Sequence, residues 1–190
     1  MRIPLNRGEG TGILVRPAPE HAEEIRAFRR ELLESGSAAD GTGGLPGFED
    51  PLEYIEYCAR AEMRETQMPG LVPASQFLYM NGDDGRIIGM IQVRHELNDV
   101  LAKLGGHIGY CVRPSCRGRK EAAKMLKLAL EYCDEALHLP WVMISCRRDN
   151  PASEHTILAC GGKRDRIVID PETGKEACIY IITRAGKNYE

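Results

Sequence analysis

Between His107 and Cys146 the chain reads strand, turn, helix, strand, and this order restricts the fold more than any other feature of the sequence. His107 to Val112 (HIGYCV) is a short apolar run of strand length. From Gly118 to His138 the residues Ala122, Met125, Leu126, Ala129, Cys133, Ala136 and Leu137 recur at three and four positions with the charges opposite, the pattern of an amphipathic helix. Trp141 to Cys146 (WVMISC) is continuously apolar, as expected of a strand covered on both faces. Two strands joined through a helix imply a right-handed crossover on a sheet with a parallel centre.

The flanking segments add strands and helices to this unit. Gly12 to Arg16 reads as a strand stopped by Pro17 and Pro19, and Pro19 suits the first turn of a helix through Leu33 with Ile25, Phe28 and Leu32 on one face. Ser35 to Gly47 is a loop rich in Gly, Ala and Ser. Asp50 and Pro51 start a second helix with Leu52, Ile55, Cys58 and Ala59 as its buried stripe, and Arg64 to Ser75 is a further loop. Gln76 to Met80 and Arg86 to Val93 flank a hairpin turn, and Leu97 to Gly106 is a long connection. Asp149-Asn150-Pro151 caps a short helix ending at Gly161-Gly162, and Arg166 to Ile169 and Ala177 to Ile182 form a closing hairpin. The expectation is one α/β domain over residues 1–190, with its core from Gly12 to Arg184. A central mixed sheet of about six or seven strands would carry helices on both faces.

Charge and cysteine content narrow the function. A formal net charge of −3 argues against bulk nucleic-acid binding, so the cationic cluster Arg113, Arg117, Arg119 and Lys120 is local. It sits at the start of a helix, where unpaired N–H groups and a partial positive charge suit a phosphate. The 7 cysteines are odd in number, contain no Cys-x-x-Cys pair and have no His at zinc-ligand spacing. They read as reduced thiols of a cytoplasmic protein without a metal site. The segment MRIPLNRGEG lacks an apolar targeting core and no stretch has membrane-spanning length, so no membrane partner is expected.

GHIGYCVRP followed by RGRKEAA, and ISCRRDNPAS followed by ILACGG, resemble the GNAT-type N-acetyltransferases; VRHELND followed by LGGHIGY is similar to one bacterial branch of predicted acetyltransferases. The resemblance runs from Gly12 to Arg184. It implies a single-domain GNAT-like fold and acetyl transfer from acetyl-coenzyme A to a primary amine of a small molecule or a protein. It also implies that strands 107–112 and 141–146 splay apart around the pantetheine arm. Tyr110, Cys111 and Val112 would offer backbone groups to that arm, and Asn150 would bond its amides. Gly118, Arg119, Lys120, Glu121, Ala122 and Ala123 would surround the pyrophosphate, with Arg117 opening the motif and Arg119 pairing with phosphate oxygens.

Two positions depart from the family pattern. Lys120 stands at the central glycine of Gln/Arg-x-x-Gly-x-Gly/Ala, where a helical backbone would suit a lysine, and Glu121 adds a repulsive charge beside it. Ile157 stands where many relatives place a tyrosine seven residues after the Asn. Both favour the alternative reading of a catalytically weak module that binds or senses coenzyme A.

For the base, Glu96 and His95 are the best-placed titratable pair, with His107 and Tyr110 in reserve and Glu96 preferred. Strand alternation puts Glu96 and His95 on opposite faces. Their structural readings are a salt bridge with Arg94 or a cap on the following turn for Glu96, and a hydrogen-bonded framework role for His95. A backbone N–H near Val112 would hold the oxyanion. Acetyl passage through Cys111 or Cys146 is disfavoured, since buried strand cysteines usually fill the core. Loops 35–47 and 64–75 would shape the acceptor pocket, and the C-terminal hairpin offers an edge for a homodimer.

Overall fold

The computed structural model describes residues 12–66 and 68–183; the segment MRIPLNRGEG and the expected core end at Arg184 lie outside the described residues. Four strands, β1 (Gly12–Val15), β2 (Ala74–Asn81), β3 (Ile87–Arg94) and β4 (Ile108–Val112), form one sheet in the order β1-β2-β3-β4. Three more, β5 (Trp141–Arg147), β6 (Lys163–Ile169) and β7 (Glu176–Thr183), form a second in the order β5-β7-β6. The fold is mixed α/β, with helices on both faces of the larger sheet. α1 (Ala22–Glu34) and α2 (Pro51–Ala61) pack Ile25, Phe28, Leu32, Tyr54 and Cys58 against Leu78, Met80, Met90 and Cys111. On the opposite face α3 (Glu121–Glu135) packs Met125, Leu126, Ala129 and Cys133 against Phe77, Tyr79, Ile91 and Ile108. α4 (Pro151–Ala159) inserts Ile157 into the same cluster, together with Ile144 of β5 and Tyr180 of β7.

Local sequence accounts for the starts of α2 and α4. Pro51 opens α2 and the Asp50 carboxylate accepts the Leu52 N–H at 2.9 Å; Pro151 opens α4 and the Asn150 side chain accepts the Ser153 N–H at 3.1 Å.

The structure corrects several expectations. Leu52 and Ala59 do not belong to the buried stripe of α2, which is made by Tyr54, Ile55 and Cys58 while both of them are exposed. The seven strands do not make one sheet with a parallel centre: every ladder among the described residues is antiparallel, and β4 meets β5 only at one bridge, Gly106–Ile144. Left-handed Gly106 (φ 70) turns the chain at that bridge, and the two strands part beyond it. α3 begins at Glu121, not Gly118, because Gly118 (φ 78) and Lys120 (φ 60) are both left-handed and cannot continue a right-handed helix. The connection before β4 holds a π-helical turn, Leu101–Gly105. Arg113 does not face the basic turn's opening. It is 3% exposed, paired with Glu24 (3.2 Å) and Glu31 (3.8 Å) of α1, and lies over the Phe28 ring. Among the described residues no helix is long and apolar enough to cross a membrane.

Candidate active site

The separation of β4 from β5 leaves an edge with unpaired peptide groups. Arg94 N–H donates to His107 O at 2.7 Å and Arg113 N–H donates to Ile88 O at 2.8 Å, which fixes the phase of the β3–β4 ladder. In an antiparallel pair alternate residues bond the partner, so the peptide groups of Gly109 and Cys111 are committed to β3. Those of Ile108, Tyr110 and Val112 face away from β3 into the gap toward β5. Of the backbone groups expected to hold an extended ligand, Tyr110 and Val112 are so directed and Cys111 is not. The Val112 carbonyl already accepts from Arg117 Nε at 3.1 Å.

The gap continues into the turn before α3. Among the described residues, the N–H groups of Gly118, Arg119, Lys120, Glu121 and Ala122 meet no acceptor, while Ala123 N–H closes onto Lys120 O at 3.2 Å. Two left-handed residues separated by one gather these N–H groups into the kind of concavity that binds anions. Arg119 and Lys120 are exposed beside it. Arg117 is partly committed elsewhere, since its Nη2 reaches Ser37 Oγ at 2.9 Å and ties the turn to the α1–α2 loop. Glu121 is turned away from the concavity: its carboxylate accepts from Tyr79 Oη at 3.1 Å and pairs with Lys124 at 2.9 Å. Lys124 thus offsets part of its charge.

Lys120 is the main surprise of the turn. A helical backbone was expected to accommodate it, yet it adopts the hand that favours glycine, at a cost of about 1–2 kcal/mol for an L-residue. The position keeps the backbone conformation of a glycine while carrying a cation.

Across the gap stands the start of α4. Tyr110 Oη lies 2.9 Å from Ser153 Oγ, so this side chain spans from β4 to α4. Burial pushes the Tyr110 hydroxyl up to about 12 against the opposing hydrogen bonds of Ser153 and Thr156, so it stays protonated and can donate. Asn150 uses its side-chain oxygen to cap α4. Ile157, at the position of the expected tyrosine, is wholly buried.

The two leading base candidates have partners. Glu96 Oε2 accepts from Arg64 at 2.5 Å in a partly exposed ion pair, with Arg64 and not Arg94 as its partner. His95 Nε2 lies 2.7 Å from Ser75 Oγ, which also bonds Glu62 (2.8 Å) and Tyr132 (2.9 Å); Arg16 pairs with Glu62 and reaches Tyr132. Desolvation lowers the His95 value, so the imidazole is neutral and belongs to this framework. His107 is 4% exposed and its Nδ1 accepts the Met143 N–H at 3.0 Å. Burial, then the Arg94 charge, pulls it down to about 4.

The α1–α2 loop covers the other side of β4. Gly41 (φ 70) lies so close to the Gly109–Tyr110 peptide that a β-carbon on it would fall 2.0 Å from Gly109 O. Sequence composition marked the loop but gave no sign of this long-range contact. Ser153 was visible only as the last residue of the Asn-x-x-Ser pattern. The cysteines carry no nucleophile signature: burial pushes Cys111 up to about 12 and Cys146 up to about 11. Among the described residues no group of three His, Cys, Asp or Glu side chains is placed to hold a metal ion.

Residues 13–163 match the model of the acetyltransferase (GNAT) domain. The chain belongs to the GNAT acetyltransferase family. Among curated proteins there is no sequence match. Solved structures share the fold across the family. The ribosomal-protein-S5-alanine acetyltransferase from Vibrio fischeri superposes with a TM-score of 0.70 at 11% identity, covering 96% of this chain and 98% of its own. The microcin C7 self-immunity acetyltransferase MccE, in complex with acetyl-CoA and AMP, gives 0.69 at 18% identity, covering 96% and 100%. RimJ of Mycobacterium smegmatis, in complex with CoA-disulfide, gives 0.65 at 19% identity, covering 92% and 82%.

Proposed function

We propose that the chain transfers an acetyl group from acetyl-coenzyme A to a primary amine. The observation that carries this reading is a pair of open backbone stretches: the peptide groups of Ile108, Tyr110 and Val112 that face away from β3, apart from the Val112 carbonyl that Arg117 takes, and the N–H groups of residues 118–122 in the turn beyond them. A pyrophosphate is held by those N–H groups with Arg119 and Lys120, and the amide-bearing arm pairs with β4 as an added strand would. Asn150, whose oxygen caps α4, offers its NH2 to the same arm. The thioester then lies toward Ile108, several residues along the strand from Val112, and the Ile108 N–H is the better-placed oxyanion donor.

In the reaction the amine nitrogen bonds the acetyl carbon, the C–S bond breaks, and the thiolate leaves. The Tyr110 hydroxyl donates a proton to that sulfur, taking the part left open by Ile157. Glu96, once released from Arg64, receives the proton lost by the amine. Release of free thiol on mixing the protein with acetyl-coenzyme A and a panel of amines tests the reading. Polyamines and peptides with free N-termini belong in the panel, because structurally similar proteins are a spermidine N-acetyltransferase and an S5-alanine acetyltransferase. We expect Tyr110→Phe to lower kcat by about 10²-fold and Glu96→Gln by about tenfold, with acetyl-coenzyme A binding retained. Unchanged kcat in either variant removes that residue from the chemistry.

The second reading, a module that binds coenzyme A and turns over little, is favoured by the commitment of Glu96 and His95 to other partners. Tight binding without thiol release from any amine supports it.

A further inference from the structure

At the point where β4 and β5 part, one residue makes two bonds across the gap, and Ser145 Oγ reaches Gly105 O at 3.5 Å beside it. His107 N–H donates to Met143 O at 2.7 Å, and His107 Nδ1 accepts from Met143 N–H at 3.0 Å. Both peptide groups of Met143 that face β4 are thus satisfied by a single residue, one through its backbone and one through its imidazole. A regular ladder would use two backbone groups. The imidazole substitutes for the carbonyl of His107 itself, the register partner of Met143, which faces β3 instead. The ring meets Trp141 edge-on at 5.2 Å, and the His107 carbonyl is taken by the Arg94 N–H. Arg94 Nη1 donates to Gly106 O at 3.0 Å, which closes the corner from the other side. With Nδ1 accepting, the proton of the neutral ring is on Nε2, so His107 has no free lone pair to act as a base.

We propose that His107 is a positioning residue for acetyl transfer: its imidazole fixes the separation of β4 and β5 at the closed end of the cleft and so sets the orientation of the neighbouring Ile108 N–H toward the thioester. This rests on the acetyltransferase reading above. Nothing on the imidazole touches the reacting atoms; it acts through the peptide it holds. The pyrophosphate turn, at the other end of β4, is unaffected by the clamp. Loss of the clamp therefore lowers kcat and leaves cofactor affinity in place, since misplacement of reacting groups by about 1 Å can cost about 10²-fold in rate.

The test compares His107→Asn, whose side-chain oxygen can accept the Met143 N–H, with His107→Gln and His107→Leu. Three quantities are measured: kcat, acetyl-coenzyme A affinity by calorimetry, and hydrogen exchange of the Met143 amide. His107→Leu is expected to lose kcat by tenfold or more while cofactor affinity changes less than about threefold, and its Met143 amide exchanges faster than in the wild type. His107→Asn is expected to restore both kcat and protection. If His107→Leu does not fold, His107→Gln, which keeps a polar side chain of similar size, takes its place in the comparison. A variant with lost Met143 protection and wild-type kcat overturns the positioning role. Met143 exchange that is equal in wild type and His107→Leu overturns the clamp. A wild-type protein that binds the cofactor without turnover overturns the enzyme reading instead, and the exchange data then still judge the clamp separately.

Discussion

Lys120 shows how far a single residue can be read from sequence. That a lysine occupies a position where the family has glycine was visible in RGRKEAA; that it takes the left-handed conformation was not, because backbone hand depends on how the turn meets α3. Because residue 120 is left-handed, Lys120→Gly stabilises the protein by about 1 kcal/mol, whereas Lys120→Ala, which keeps a β-carbon, does not. A shift of the denaturant midpoint at constant slope measures this, and destabilisation by glycine would mean that residue 120 is helical. His107 makes a second test through pH. Its folded value of about 4 lies below its ordinary 6.5, so the folded state resists protonation. The stability contributed is complete above about pH 6.5, declines as pH falls toward 4, and levels off below, amounting to roughly 3 kcal/mol. His95 is depressed in the same direction, so the decisive comparison is wild type against His107→Asn, which should lose the His107 share of the slope. Parallel stability curves from pH 7 to 4 would contradict the burial of a neutral His107.

Elements were more legible than the links between them. The helical periodicity of α3, the apolar run of β5 and the Asn-Pro start of α4 each depend on nearest neighbours along the chain; β5 and the start of α4 appear where the pattern put them, and α3 does so once its ends are drawn in to Glu121 and Glu135. The parting of β4 from β5 depends on His107 meeting Met143 across 36 positions, and no local pattern carries that information. The α1–α2 loop is similar: a glycine-rich stretch announces a loop without saying that Gly41 rests on the peptide of Gly109. Gly41→Ala would place a β-carbon 2.0 Å from Gly109 O at a φ of +70, so the loop must move. We expect a stability loss of about 1–3 kcal/mol and, in the enzyme, a raised KM for the amine with unchanged cofactor affinity. Wild-type stability in this variant would show that the loop does not rest on β4.

Across the molecule, the fold class and the strand count followed from residue patterns, while the division into a four-stranded and a three-stranded sheet did not. The division is what makes the site: an undivided sheet would spend the peptide groups of Ile108, Tyr110 and Val112 on β5. The basic turn likewise split on folding, with Arg113 drawn into an ion pair with Glu24 while Arg119 and Lys120 stay at the surface. The proposed coenzyme A site, between the β4 edge and the turn before α3, has one direct test, titration calorimetry of the wild-type protein with acetyl-coenzyme A. Saturable one-to-one binding is expected, weakened when the pyrophosphate-bearing half of the ligand is removed. No measurable binding at millimolar ligand would contradict the cleft as a coenzyme A site and, with it, the acetyltransferase reading.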